Sequence, residues 1–215
     1  MALPALYAEE PLLDKDWYIE DEYFALEDRS PDRWEFLPEG PPNPDGSRLG
    51  RIRAMSGGTA NHGALIMTLG RRLGNALEAT GNQMCRVFGS DVKVHAADGR
   101  NTFPDISIVC GALAFHRRRL DIITNPIFIA EVLLPSTEAH DRSDKRASYQ
   151  TISTLQHYLL LTTDQARAEL YTREEAGWHF EAYEGMEAVI PLTALGVTLA
   201  LADLYTQVEF EQSPH

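Results

Sequence analysis

The run PIFIAEVL at 126–133 is apolar at every position except Glu131. An unbroken apolar stretch of this length suits a central strand buried on both faces, since a half-solvated strand would alternate. An acid inside such a strand is expensive: burying a bare carboxylate costs several kcal/mol unless a cation, strong donors or a proton compensates.

A second acid shares the predicament. Pro104-Asp105 stands at the head of the apolar run ISIVC, and Glu131 follows 26 positions later. Two carboxylates at the ends of buried strands can be satisfied together by one divalent cation, because hard ions such as Mg²⁺ or Mn²⁺ prefer oxygen ligands and keep several waters. A hydrolytic centre of this kind also needs a cationic group to orient water and stabilise phosphate charge. The position two after Glu131 is Leu133 rather than lysine. Lys145 lies further on, and Asp141, Lys145 and Tyr149 step by four residues, which puts all three on one helical face.

The surrounding pattern predicts a mixed architecture. A short amphipathic helix falls within 15–28 and stops near Ser30-Pro31. WEFLPEG (34–40) and RLGRIRAMSG (48–57) read as a hairpin around the turn-rich PPNPDG. Thr59 is placed to cap a helix over 60–79, where His62, Leu65, Ile66, Leu69, Leu73, Ala76 and Leu77 recur at steps of three and four. Met84–Phe88, Asp91–His95 and Phe103–Val109 then read as a β-meander. After the strand at 126–133, Ser136 opens a second helix running to about Thr151, and strands follow at 156–162, 166–172 and 177–183. The tail EQSPH reads as frayed. The expected class is α/β or α+β, with a mixed sheet flanked by helices and extra antiparallel strands, organised as a lead-in over 1–30 and one domain over 31–210.

Composition narrows the function. Only Cys85 and Cys110 occur, both in apolar stretches, so two buried free thiols in a reducing compartment are expected. MALPALYAEEPLL has no basic lead or continuous apolar core, and no run nears the roughly 18 apolar residues of a membrane helix; a cytoplasmic location is expected. The net charge of −13 opposes tight nonspecific binding of nucleic acid, yet part of that charge can itself be a metal site. The basic loop His116–Arg119 suits either a phosphate backbone or a solvated salt-bridging surface. No dinucleotide-binding, Walker-type or nucleophile-elbow motif occurs.

Taken in order, WEFLPEG, AMSGGTANHGALIMTLGRRL, SDVKV, FPDISIV, IAEVLLPST and DRSDKRASYQ resemble the Uma-type restriction endonuclease family of the PD-(D/E)xK nuclease superfamily, over about Trp34 to Leu161. The resemblance implies that Asp105 and Glu131 are metal-binding acids, that Lys145 is a catalytic lysine relocated to the helix, and that Glu35 is an additional acid holding a second ion or the water. It also makes Asp91, His62 and Tyr149 supporting positions, beside Asp141. The sequence departs from the family in a Pro- and Gly-rich insertion in the first hairpin and in Leu134, where serine is expected. His62 equally suits a core or cap histidine, and Glu35 a solvated strand-edge acid. The implied activity is DNA phosphodiester hydrolysis with Mg²⁺ or Mn²⁺, by a homodimer on the analogy of nucleases that cut both strands. The alternative is an inactive nuclease-fold module that binds without cutting.

Overall fold

The computed structural model describes residues 15–55, 57–135 and 138–210. Two units divide the chain, residues 1–56 and residues 57–215. The predicted lead-in helix is α1 (Glu20–Glu27), preceded by the two-residue strand β1 (Tyr18–Ile19) and followed by β2 (Trp34–Pro38) and β3 (Leu49–Ala54). β2 and β3 form the expected antiparallel hairpin, with β1 on the far side of β3. Tyr23 and Phe36 stack with ring centroids 5.4 Å apart, and the Tyr23 hydroxyl donates to the Trp34 carbonyl at 2.8 Å. Burial of the two rings thus leaves no polar atom of Tyr23 stranded.

The second unit opens with α2 (Ala60–Ala79), whose bounds match the apolar periodicity. Its first turn is capped as expected: the Thr59 side chain accepts the His62 amide at 3.2 Å. Leu65, Leu69, Leu73 and Leu77 form one buried stripe. Next come β4 (Cys85–Gly89), β5 (Lys93–His95), β6 (Asn101–Thr102), β7 (Ile106–Cys110), β8 (Ile122–Ile123) and β9 (Phe128–Val132). A helix follows in three pieces: α3 (Glu138–His140), a π-turn over Asp141–Lys145, and α4 (Arg146–Gln150). β10 (His157–Leu161), β11 (Arg167–Glu174), β12 (Gly177–Glu184), β13 (Val189–Leu192), β14 (Val197–Ala200) and α5 (Leu201–Leu204) complete the order.

Six of these strands make one mixed sheet, β12-β11-β10-β9-β7-β4. β9 is central, antiparallel to β7 and parallel to β10, and all five of its residues are buried, as the apolar run requires. Its two faces serve different layers. Phe128, Ala130 and Val132 join the core built by the α2 leucines, the β13–β14 hairpin and α5. Ile129 and Leu133 face a second core with Tyr149, Tyr158 and Leu160. Strand alternation puts Glu131 on this second face.

Three expectations are corrected. The meander does not form: β4 pairs with β7, whereas β5 lies outside that sheet, antiparallel to β6 and parallel to β8. The turn after Gly89 takes the chain out of the first sheet, and β5 finds partners that are distant in sequence. Cys85 and Cys110 are not free thiols but a disulfide, because the β4–β7 register sets them directly opposite each other. Third, Asn101–Thr102, which falls between the strands expected at Asp91–His95 and Phe103–Val109, is itself a buried strand. Residues 136–137, where the second helix was expected to open, and the tail 211–215 lie outside the described residues. No helix among the described residues is long and apolar enough to cross a membrane.

Candidate active site

The β7–β9 ladder aligns Ile106 with Ala130, and carrying that register one step further sets Asp105 opposite Glu131. At this strand end, side chains replace ladder bonds. The Asp105 amide approaches Glu131 Oε2 at 3.4 Å, and the Val132 amide donates to Asp105 Oδ2 at 2.7 Å. Both acids are buried, with residue exposures of 8% and 4%.

The helix covering this face brings the other groups. Lys145 Nζ lies 2.9 Å from Glu131 Oε1 and 3.7 Å from Asp141 Oδ1. The Tyr149 hydroxyl donates to the same Glu131 Oε1 at 2.8 Å and accepts from Thr102 Oγ1 at 3.0 Å. The Tyr158 hydroxyl donates to the Asp141 carbonyl at 3.1 Å. The π-turn lies in the segment that supplies Asp141 and Lys145, and widened turns of this kind recur at functional sites.

From the other side of the sheet, His62 Nε2 comes within 3.5 Å of Asp105 Oδ2. The Thr59 cap fixes the start of the helix that carries it, and Gly58 permits the approach, since a Cβ there would strike the imidazole.

Charge makes the site strained without a cation. Glu131 and Asp141 share one ammonium and Asp105 lies beside Glu131, all three with little solvent. Burial pushes the Glu131 carboxyl up to about 8, nearby Asp105 and Asp141 push the same way, and Lys145 pulls against them. Burial also holds the Tyr158 phenol well above its ordinary range, with Glu131 adding to it. These two acids offer hard oxygen donors that a divalent ion would relieve of mutual repulsion, so the donor set suits Mg²⁺ or Mn²⁺.

Asp105, Glu131, Asp141, Lys145, Tyr149 and His62 thus come together. Asp91 is exposed in the turn before β5. Glu35, in the first unit, is buried and cross-strand paired with Arg53, its Oε2 2.6 Å from Nη2. The sequence reading passed over Thr102 and Tyr158. Nothing in NTF or HYLLL marks either residue as polar support, because each is recruited by contacts distant in sequence.

A mixed sheet with helices on its faces and a paired-acid strand end defines a restriction-endonuclease-like fold. The family profile Uma2, described as "Putative restriction endonuclease", matches residues 20–202, and the chain belongs to this family. It is 30% identical over 192 residues to the uncharacterized protein slr1290 of Synechocystis sp., covering 88% of this chain and 92% of that one. It is 31% identical over 153 residues to sll1609 of the same organism, covering 71% and 78%. A crystal structure from Anabaena variabilis, described as "a putative nuclease belonging to DUF820", superposes with a TM-score of 0.66 at 16% identity, covering 88% of this chain and 98% of that one. At that identity the likeness is one of fold.

Proposed function

We propose that the protein is a divalent-metal-dependent endonuclease that hydrolyses phosphodiester bonds in DNA. The observation that carries this reading is the meeting of Lys145 with Glu131 at 2.9 Å beside Asp105, an ammonium and two metal-competent carboxylates at one strand end. Asp105 and Glu131 would hold Mg²⁺ or Mn²⁺; when bound, the ion supplies charge neutralisation at the phosphate and acidifies water. Lys145, already seated between Glu131 and Asp141, donates to a phosphate oxygen or to the attacking water and keeps it oriented. Tyr149 holds the Glu131 oxygen in place through its hydroxyl, and His62 stands against Asp105 Oδ2. In the same reading the enzyme acts as a closed dimer, since cutting both strands calls for two sites.

Incubation of plasmid with protein and Mn²⁺ or Mg²⁺ tests the proposal. Nicking or linearisation is expected, and cleavage that persists undiminished in Glu131→Ala would sink it. The net charge of −13 favours a second reading, a nuclease-fold module that binds without cutting. Calorimetric titration with Mn²⁺ separates the two: stoichiometric binding lost in Asp105→Asn belongs to the nuclease alone.

A further inference from the structure

Across the face of the sheet that carries Glu131, aromatic rings run outward in a single row. The register aligns Ile129 with Tyr158, Tyr158 with Tyr171, and Tyr171 with Phe180, one residue from each of β9, β10, β11 and β12. Tyr149, which donates to Glu131, begins the row with its ring 5.4 Å from Tyr158; Tyr158 lies 6.1 Å from Tyr171 and Tyr171 5.0 Å from Phe180. Exposure rises along it, from 0% at Tyr149 and Tyr158 to 8% at Tyr171 and 48% at Phe180. The inner rings are core. An open phenyl at the outer end is not explained by packing.

Two guanidiniums lie over aromatic rings on this face. Arg146, directly after Lys145, lays its guanidinium over the Tyr171 ring at 4.9 Å, and its Nε has no hydrogen-bond partner among the described residues. Arg173 covers Trp178 at 4.5 Å on the same face. The nearest acid of β11, Glu169, is already held by Arg142 and Arg167. In a chain of net charge −13, Arg146 has no carboxylate partner among the described residues, and Tyr171, the ring it covers, packs against the open Phe180; a cation beside stackable rings suits a polyanion whose units also stack.

We propose that Phe180, Tyr171 and Arg146 form a binding step for an unpaired stretch of DNA leading to the Asp105/Glu131 site. The proposal rests on the nuclease reading and adds a substrate preference to it. Phe180 is three strands from Glu131, about 14 Å at the usual strand spacing. An unpaired base stacks on its open face, and Arg146 meets the flanking phosphate. Duplex DNA keeps its bases in the stack and gains nothing from the ring.

The test is fluorescence anisotropy of a labelled single-stranded oligonucleotide and of the same sequence as a duplex, with Ca²⁺ present. The proteins are wild type, Phe180→Ala, Phe180→Trp and Arg146→Ala. Phe180→Ala should weaken single-strand binding by about tenfold, Phe180→Trp should restore it, and duplex affinity should change less than about twofold. Arg146→Ala should also weaken single-strand binding. Unchanged single-strand affinity in Phe180→Ala, or equal loss for both DNAs, overturns the inference. So does a dimer that Phe180→Ala turns into a monomer, which would assign the ring to a second copy of the chain. Plasmid cleavage measured in parallel keeps the two claims apart. A wild type that cuts but binds independently of Phe180 loses only this step, and one that binds through Phe180 without cutting loses only the nuclease reading.

Discussion

Tyr149 and Glu131 are joined by a 2.8 Å hydrogen bond on the same oxygen that Lys145 approaches, so the acid is held by two donors from one helix. Tyr149→Phe removes one of them with little change in volume. Outer donors of this kind typically affect metal affinity by about 10- to 100-fold. We expect at least tenfold weaker Mn²⁺ binding by calorimetry with the fold retained by circular dichroism; unaltered affinity would deny Tyr149 its supporting part.

The pH dependence of the metal-free protein follows from the raised Glu131 carboxyl. In the unfolded chain this group ionises near 4.5, as an ordinary glutamate does, and in the fold near 8. Below the lower value both states are protonated and its stabilising contribution is fully present; as pH rises to about 8, the unfolded state alone gains from ionising and that contribution is lost. Urea midpoints should therefore fall between about pH 5 and pH 8, and saturating Mn²⁺ should flatten the slope. A midpoint that rises over this interval in wild type, with Glu131→Gln identical to it, would contradict the assignment.

Lys145→Met leaves Glu131 and Asp141 buried without their ammonium. Loss of one partner from a buried ion pair costs about 3–5 kcal/mol. The cost should be largest above about pH 8, where Glu131 is ionised, and smaller toward pH 5, where it already carries a proton. Plasmid cleavage should disappear while Mn²⁺ still binds; cleavage at the wild-type rate would remove Lys145 from the mechanism.

At the start of α2, Thr59→Ala deletes the cap on the His62 amide and should cost about 1 kcal/mol in chemical denaturation. Gly58→Ala drives a methyl into the imidazole and should move His62 away from Asp105. If His62 serves the site, Gly58→Ala lowers cleavage more than Thr59→Ala does at equal stability.

The Cys85–Cys110 disulfide closes a loop of sequence separation 25, for which chain entropy gives about 3.5 kcal/mol. Denaturation midpoints with and without reductant should differ accordingly, and Cys110→Ser should match the reduced wild type.

Local signals in the sequence carried much of this architecture. The α2 bounds, its Thr59 cap and the doubly buried strand around Glu131 are legible because periodicity and capping act within a few residues. The stepping of Asp141, Lys145 and Tyr149 likewise foretells a shared helical face. Pairing at a distance was not legible. The Cys85–Cys110 bond depends on the β4–β7 register, and the departure of β5 from the sheet depends on β8, about thirty positions on. The β13–β14 hairpin and α5 also escaped, although they cover the α2 face of the sheet.

The alignment of Ile106 with Ala130 has a consequence for how the chain finds its fold. A slip of one residue between β7 and β9 would turn a carboxylate toward the leucine-lined layer, where it has neither Lys145 nor Tyr149 to meet it. Misaligned pairings are therefore penalised by the same acids that equip the correct one, and the pair serves as a registration mark proofreading the centre of the sheet during assembly.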